Sequence, residues 1–173
     1  GDLLSRLVPR SAERCGADAG SVILTRTTND GVLEQDVSFW ATGQEIKRFT
    51  LPWGRGLAGW VAEKGKTLRL DDASDDPRCE KTMGEVVGYD TRSVLAVPLR
   101  SHHGILGAIE LLNKERGSAS FTEADEKVLT LIAGQVARAV ELARARETRD
   151  REERLATIGH LLFGGRPPHG AAA

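Results

Sequence analysis

Cysteine is scarce in this chain: Cys15 and Cys79 are the only two among 173 residues. Two cysteines make no disulfide framework, and they lack the C-x-x-C spacing of a zinc or redox site, so a reducing cytoplasm is the simpler setting. An excess of charge of one sign is missing as well. The 24 basic and 25 acidic residues leave a formal net charge of −1, which gives no electrostatic footprint for DNA or RNA, and no nucleic-acid partner is expected. No apolar run approaches the ~20 residues that span a bilayer, and the start does not resemble a signal peptide, so no membrane contact is expected from this segment. Methionine is nearly absent too. Met83 is the only one and the chain opens at Gly1, so the sequence reads as a piece of something longer.

What is present is ordinary globular material. Forty per cent of the residues are apolar and 28% are charged, which fits neither a membrane protein nor a disordered one. A domain of this length buries roughly 70% of its unfolded surface, enough for a core without disulfides.

The periodicities divide the chain into elements. Leu3, Leu4, Leu7, Val8, Ala12 and Cys15 recur at helical intervals, predicting a first helix that Pro9 should kink or start late. SVILTRTT and VLEQDVSFW flank Asn29-Asp30-Gly31, a cluster tolerant of positive φ, and so predict a hairpin. KRFTLPW reads as a short strand. GRGLAGWVAEKG reads as a short helix opened by Gly54 and Gly56, with Leu57, Trp60 and Val61 on one face and Gly65 as its stop. TLRLDD is a further strand, running into DDASDDPRCEKTMGEVVGYDTR, which is too long and polar for a simple turn and has the character of a lid or binding loop.

RSVLAVPLRS and GILGAIELLN are apolar on both faces around Ser101-His102-His103-Gly104, so they read as central antiparallel strands covered on either side, with a bulge or lost partner at Pro98. From Thr122, a stripe of Val128, Leu129, Ile132, Val136, Ala139, Val140 and Ala143 predicts a long helix. ARARETRDREER then carries Glu147/Arg151 and Asp150/Arg154 at i,i+4 with the acid first, and Leu155, Ile158, Leu161 and Leu162 resume an apolar face before GGRPPHGAAA. A helix this long beyond a core needs a partner, and a second copy is the natural one, through the amino- and carboxyl-terminal helices. The fold class is α+β: a central antiparallel sheet of about six strands flanked by helices, with a long carboxyl-terminal helix. The expected division is 1–142 for the domain, 143–163 for a charged helical extension and 164–173 for an unstructured tail.

NKERGSASFTEADEKVL holds the densest set of polar residues at a junction. Thr122 and Asp125 form the T-x-x-D capping box, and Asp125 and Glu126 put negative charge at the positive end of the helix dipole. The usual staple partner of Phe121 would be Glu126, so its ring should bury elsewhere. Capping does not account for Asn113 and Lys114. A lysine at the end of one strand and an aspartate across a loop suggest an ion pair that sets geometry more than stability.

GRGLAGWVAEKGKTLRLDDASDDPR, RSVLAVPLRSHHGILGAIELLNK and FTEADEKVL together resemble a GAF domain, the GAF/PAS-like small-molecule sensor of bacterial signalling proteins and cyclic-nucleotide phosphodiesterases, over roughly residues 2–142. The most specific part is N-K-x(n)-F-x-x-x-D-E, matched by Asn113, Lys114, Phe121, Asp125 and Glu126. The resemblance implies that Lys114 and Asp125 pair to hold a pocket in shape. The pocket would then map to residues 71–93, with Asp71, Thr91, Arg92 and Ser93 meeting ligand and Glu110 as a minor candidate. Cyclic AMP or cyclic GMP is one implied ligand; another small molecule, or none in a purely structural dimerisation module, are the others. Cys79 lacks the neighbouring histidine of bilin-bearing relatives, two cysteines do not suit the methionine sulfoxide reductase branch, and His102-His103 reads as a polar turn without a third metal ligand. No nucleophile and base pair is evident, so no enzyme is expected. REERLATIGHLLFGG resembles the lead into histidine-kinase dimerisation helices, but no H-[DE]-x-[RK]-x-P pattern follows, and His160 is not assigned as a phosphoacceptor.

Overall fold

The computed structural model describes residues 2–79 and 88–164. Helix α1 (Asp2–Arg14) leads into the hairpin of β1 (Ala17–Thr27) and β2 (Leu33–Ala41), followed by β3 (Lys47–Pro52), α2 (Gly56–Lys64) and β4 (Leu68–Leu70). After the polar loop come β5 (Val94–Ser101), β6 (Gly104–Lys114), a 3-10 turn (Glu115–Gly117) and α3 (Glu123–Phe163). The six strands form one antiparallel sheet in the order β3-β2-β1-β6-β5-β4. Two compact units are present, Gly1–Ala137 and Arg138–Ala173, so the sheet and the start of α3 form one and the outer part of α3 the other. The tail expected at 164–173 lies outside the described residues except for Gly164, as does the stretch 80–87 of the polar loop.

Three expectations need correction. Helix α1 runs unbroken through Pro9, because Val8 and Ala12, buried on either side of it, hold both halves. That packing outweighs the hydrogen bond proline cannot donate. Pro98 pairs in register with Ala108, and the irregularity falls one residue later, between Leu99 and Arg100. The centre of the sheet is β1 with β6, while β5 is one strand from the edge. The apolar run in SVILTRTT cannot show this, because it marks burial and not position in the sheet.

Both faces of the sheet are covered. Ala19, Ile23, Phe39, Val94, Ala108 and Leu112 cluster with Leu57, Ala58 and Val61 of α2. Residues of the opposite parity, including Val22, Leu95, Ile109 and Leu111, are equally buried, which places them on the other face. Helix α1 approaches there over Gly20, whose missing Cβ would lie 3.3 Å from Val8 Cγ1. Two devices seat α2. Gln35, fully buried, accepts from Gly54 N–H at 3.1 Å and donates to Arg55 O at 3.1 Å, and Gly65 ends the helix in the left-handed region at φ 68°. Among the described residues no helix is long and apolar enough to cross a membrane.

Candidate functional site

Three segments meet at the carboxyl-terminal end of β6. Asn113 adopts φ 56°, a left-handed conformation that asparagine tolerates better than most residues. Its amide then faces the end of the polar loop. Arg92 N–H donates to Asn113 Oδ1 at 2.6 Å, and Asn113 Nδ2 donates to Asp90 O at 2.8 Å. Asn113 N–H also donates to Ser93 O at 2.8 Å. The loop's exit is thus clamped to β6 by one side chain and its backbone.

The next residue serves the helix. Lys114 N–H donates to Ser93 Oγ at 3.0 Å, and its ammonium lies 2.5 Å from Asp125 Oδ2, with both side chains largely buried. The same oxygen accepts from Thr122 N–H at 2.8 Å, while Asp125 N–H donates to Thr122 Oγ1 at 3.1 Å, which completes the capping box. Burial works against the Asp125 charge, but the hydrogen bonds from Lys114 and Thr122 outweigh it and hold its carboxyl below the usual value. Phe121 is buried and Glu126 half-buried in the first turn of α3. Between Lys114 and α3, Glu115 and Arg116 also take positive φ, at 50° and 60°. Such conformations cost about 1–3 kcal/mol each and persist where their surroundings over-determine them.

The loop is held at both described ends. Arg78 makes a bidentate pair with Asp76 at 2.9 and 2.6 Å and stacks 4.6 Å from the centroid of Trp60 on α2. Tyr89 meets Phe39 edge-on, with centroids 5.6 Å apart, and its hydroxyl donates to Asp18 Oδ2 at 2.8 Å. Burial, reinforced by that carboxylate, keeps the phenol protonated well above its usual range. Neither Tyr89, Phe39 nor Asp18 stood out in the sequence.

The remaining residues singled out from the sequence differ in exposure. Asp71 and Arg92 are exposed, and Arg92 makes a loose ion pair with Asp90 at 3.9 Å. Thr91 is half-buried, and the buried Ser93 commits its hydroxyl to Lys114 N–H. Glu110 differs. It lies on the α2 face of the sheet at 2% exposure, and Ser21 Oγ–H donates to it at 3.2 Å. Burial raises its carboxyl to about 7, against which the Ser21 hydrogen bond is a small correction. Among the described residues no three metal-ligating side chains gather, and His102 and His103 sit exposed in the β5–β6 turn.

A folded value above the unfolded 4.5 means that Glu110 favours the fold below that pH and loses its contribution as pH rises toward 7. Glu110→Gln is expected to stabilise the chain by about 1 kcal/mol at pH 8 and to change nothing at pH 4, as urea unfolding at the two pH values would show.

Residues 1–140 match the family model of the GAF domain. The chain belongs to the GAF domain family. GAF domains are ligand-sensing regulatory modules, and the six-stranded antiparallel sheet with its long carboxyl-terminal helix is the GAF fold. A dual 3',5'-cyclic-AMP and -GMP phosphodiesterase 11A from Takifugu rubripes is 35% identical over 118 residues, 65% of this chain and 13% of that protein. This GAF chain thus spans about an eighth of that relative's length. The GAF domain of an Acinetobacter phosphoenolpyruvate-protein phosphotransferase superposes with a TM-score of 0.68 at 21% identity, covering 85% of each chain. The GAF-B domain of DevS from Mycobacterium smegmatis does so at 0.64 and 17% identity, covering 86% of this chain and 97% of that one. Both likenesses bear on the fold alone.

Proposed function

We propose that this GAF domain senses a small molecule on the α2 face of its sheet and passes its occupancy through α3 to an output domain. The observation that carries the reading is the junction at β6. Asn113 grips the loop that borders the face, and its neighbour Lys114 grips the first turn of α3. A ligand that favours one arrangement of the loop therefore biases the helix start by the same free energy with which it discriminates the two arrangements. Lys114 and Asp125 shape the site without touching ligand. Asp71, Thr91, Arg92 and Ser93, with Glu110, are the residues proposed to meet the ligand.

A cyclic nucleotide, cyclic AMP or cyclic GMP, is the ligand favoured by the 35% identity to a phosphodiesterase named for both nucleotides and by the N-K-F-D-E residues. The reading places the chain in the cytoplasm as a regulatory part without catalysis of its own, ahead of an output of the two-component, histidine-kinase kind. A melting series tests the ligand directly. A true ligand at a hundred times its Kd stabilises by about 2.7 kcal/mol, which moves a domain of this size by roughly 5–10 °C. Absence of any shift with either nucleotide retires the nucleotide version.

One observation favours a second reading, a structural dimerisation module. In the outer unit, Leu155, Ile158 and Leu162 are exposed at i, i+3 and i+7, the spacing of a seam that another helix covers. The domain is proposed to form a homodimer through its terminal helices. Truncation after Leu142 is expected to convert the dimer to monomer in sedimentation velocity, and a dimer that survives the cut argues against this route.

A further inference from the structure

Among the described residues, every position with positive φ is a glycine except three, and all three stand in one junction: Asn113 at 56°, Glu115 at 50° and Arg116 at 60°. Gly117 follows at 92°. Glu115, Arg116 and Gly117 therefore make a left-handed run between β6 and α3. Glycine takes this conformation without penalty and asparagine visits it with local hydrogen bonding, but a longer L-residue crowds its Cβ against the following carbonyl. Glutamate and arginine have no such compensation. Both side chains are exposed, so burial returns nothing for the strain.

Three neighbouring segments hold the turn in this shape. Glu115 N–H donates to Gly16 O at 2.8 Å, which ties the turn to the corner between α1 and β1. The stem of Arg92, at the exit of the polar loop, lies over Gly117, where an added Cβ would be 3.2 Å from Arg92 Cδ. Beyond the turn, Lys114 and Asp125 fix the start of α3. The backbone bonds of the turn itself are long: Ser118 N–H donates to Glu115 O at 3.2 Å and Ala119 N–H to Lys114 O at 3.3 Å. Ser118 Oγ–H adds a shorter bond to Glu115 O at 2.7 Å. The left-handed run is thus imposed from outside, by the α1–β1 corner and the loop exit, more than by its own hydrogen bonds.

We propose that residues 115–117 are a sprung hinge: the turn stays left-handed while the Arg92 stem covers Gly117, and it relaxes and unseats the first turn of α3 when the loop exit withdraws. This rests on the reading that occupancy reaches α3 through the β6 junction, and it names the element that moves. Strained residues persist only where their surroundings over-determine them, so loss of one neighbour favours a return to ordinary geometry. The strain also sets the balance. It makes the seated start of α3 less favourable than glycines at 115 and 116 would, which brings the released state within reach of a ligand that discriminates between loop arrangements. An opening of this size belongs to a weakly held segment beside a firmly held core.

Native-state hydrogen exchange of the full, ligand-free chain, read by NMR at single amides, tests the hinge. The N–H groups of Glu115, Thr122 and Asp125 are expected to share one protection factor, at least about tenfold below that of the β1–β6 ladder. Arg116→Gly removes strain from the seated state and should raise that factor about fivefold, a gain that the greater freedom of glycine in the released chain offsets only in part. Arg116→Ala removes the side chain but keeps the left-handed strain, and should stay within about twofold of wild type. Gly117→Ala adds strain and presses on the Arg92 stem. It should lower the protection of Arg92 N–H, which donates to Asn113 Oδ1, together with that of Asp125 N–H. Protection of the three junction amides equal to that of the ladder, equal effects of Arg116→Ala and Arg116→Gly, or a Gly117→Ala response at Asp125 without one at Arg92 overturns the hinge. No ligand enters this experiment, so such a failure leaves the sensing site itself to be judged by the melting series.

Discussion

Gly107→Ala is expected to destabilise the domain by at least about 3 kcal/mol, near the upper end of what overpacking costs. Gly107 faces Leu24 on β1 and Leu99 on β5, at the centre of the sheet. A Cβ there would lie 1.8 Å from Ile23 O and 2.8 Å from Ile23 C. These are backbone atoms of the paired strand, so no side chain can swing aside, and the β1–β6 ladder has to part locally. The expected result is a fall of the urea midpoint with little change in slope, and a melting temperature lower by roughly 6–12 °C. Gly159→Ala is the control. Gly159 lies within α3, has nothing within 4 Å of its missing Cβ, and should gain about 0.5–1 kcal/mol from helix propensity. A Gly107→Ala variant as stable as wild type would show that the two central strands do not approach as described.

Lys114→Met should cost about 3 kcal/mol, the low end for breaking a buried pair. The Asp125 carboxylate, 14% exposed, would lose its ammonium partner and keep the Thr122 N–H hydrogen bond. The double variant Lys114→Met/Asp125→Asn is expected to recover most of the loss, because removing both charges leaves no uncompensated ion. The pH dependence has a definite sign. Asp125 is held below its unfolded value of 3.8, so the pair's contribution is present above that pH and is lost as pH falls through the lowered folded value. The penalty of Lys114→Met should accordingly shrink in acid. Guanidinium unfolding at pH 7 and pH 3 measures both. An equal penalty at the two pH values, or no recovery in the double variant, would mean that packing of the lysine stem and not its charge is what matters.

Local chemistry made parts of this domain readable in advance. The Thr122–Asp125 capping box involves residues three apart, so spacing alone specifies who meets whom. The same holds for the Asn29-Asp30-Gly31 hairpin turn and for Gly65, whose left-handed conformation ends α2. The Lys114–Asp125 pair was within reach because only eleven residues separate its members.

Features that join distant segments were not readable. Ser21 and Glu110 are 89 residues apart, and Tyr89 and Asp18 are 71 apart. Each pairing exists only because β1 and β6 adjoin and the loop folds back across them. Glu110 looked like a minor feature of an apolar strand, since alternation says that a residue is buried but not which side chains surround it. The exposed position of Arg92 has the same origin: strand entry was legible, but the direction of a long side chain at that entry was not.

The sequence by itself determined the elements, their caps and turns, and the identity of the residues at the end of β6, because those depend on interactions within a few residues of chain. Tertiary structure alone decided that β1 lies beside β6, that Gly107 must have no side chain, that α1 stays whole through Pro9, and that Glu110 is buried beside Ser21. Those outcomes depend on strand order and register, and a residue's own neighbours carry no record of the strand it will lie against.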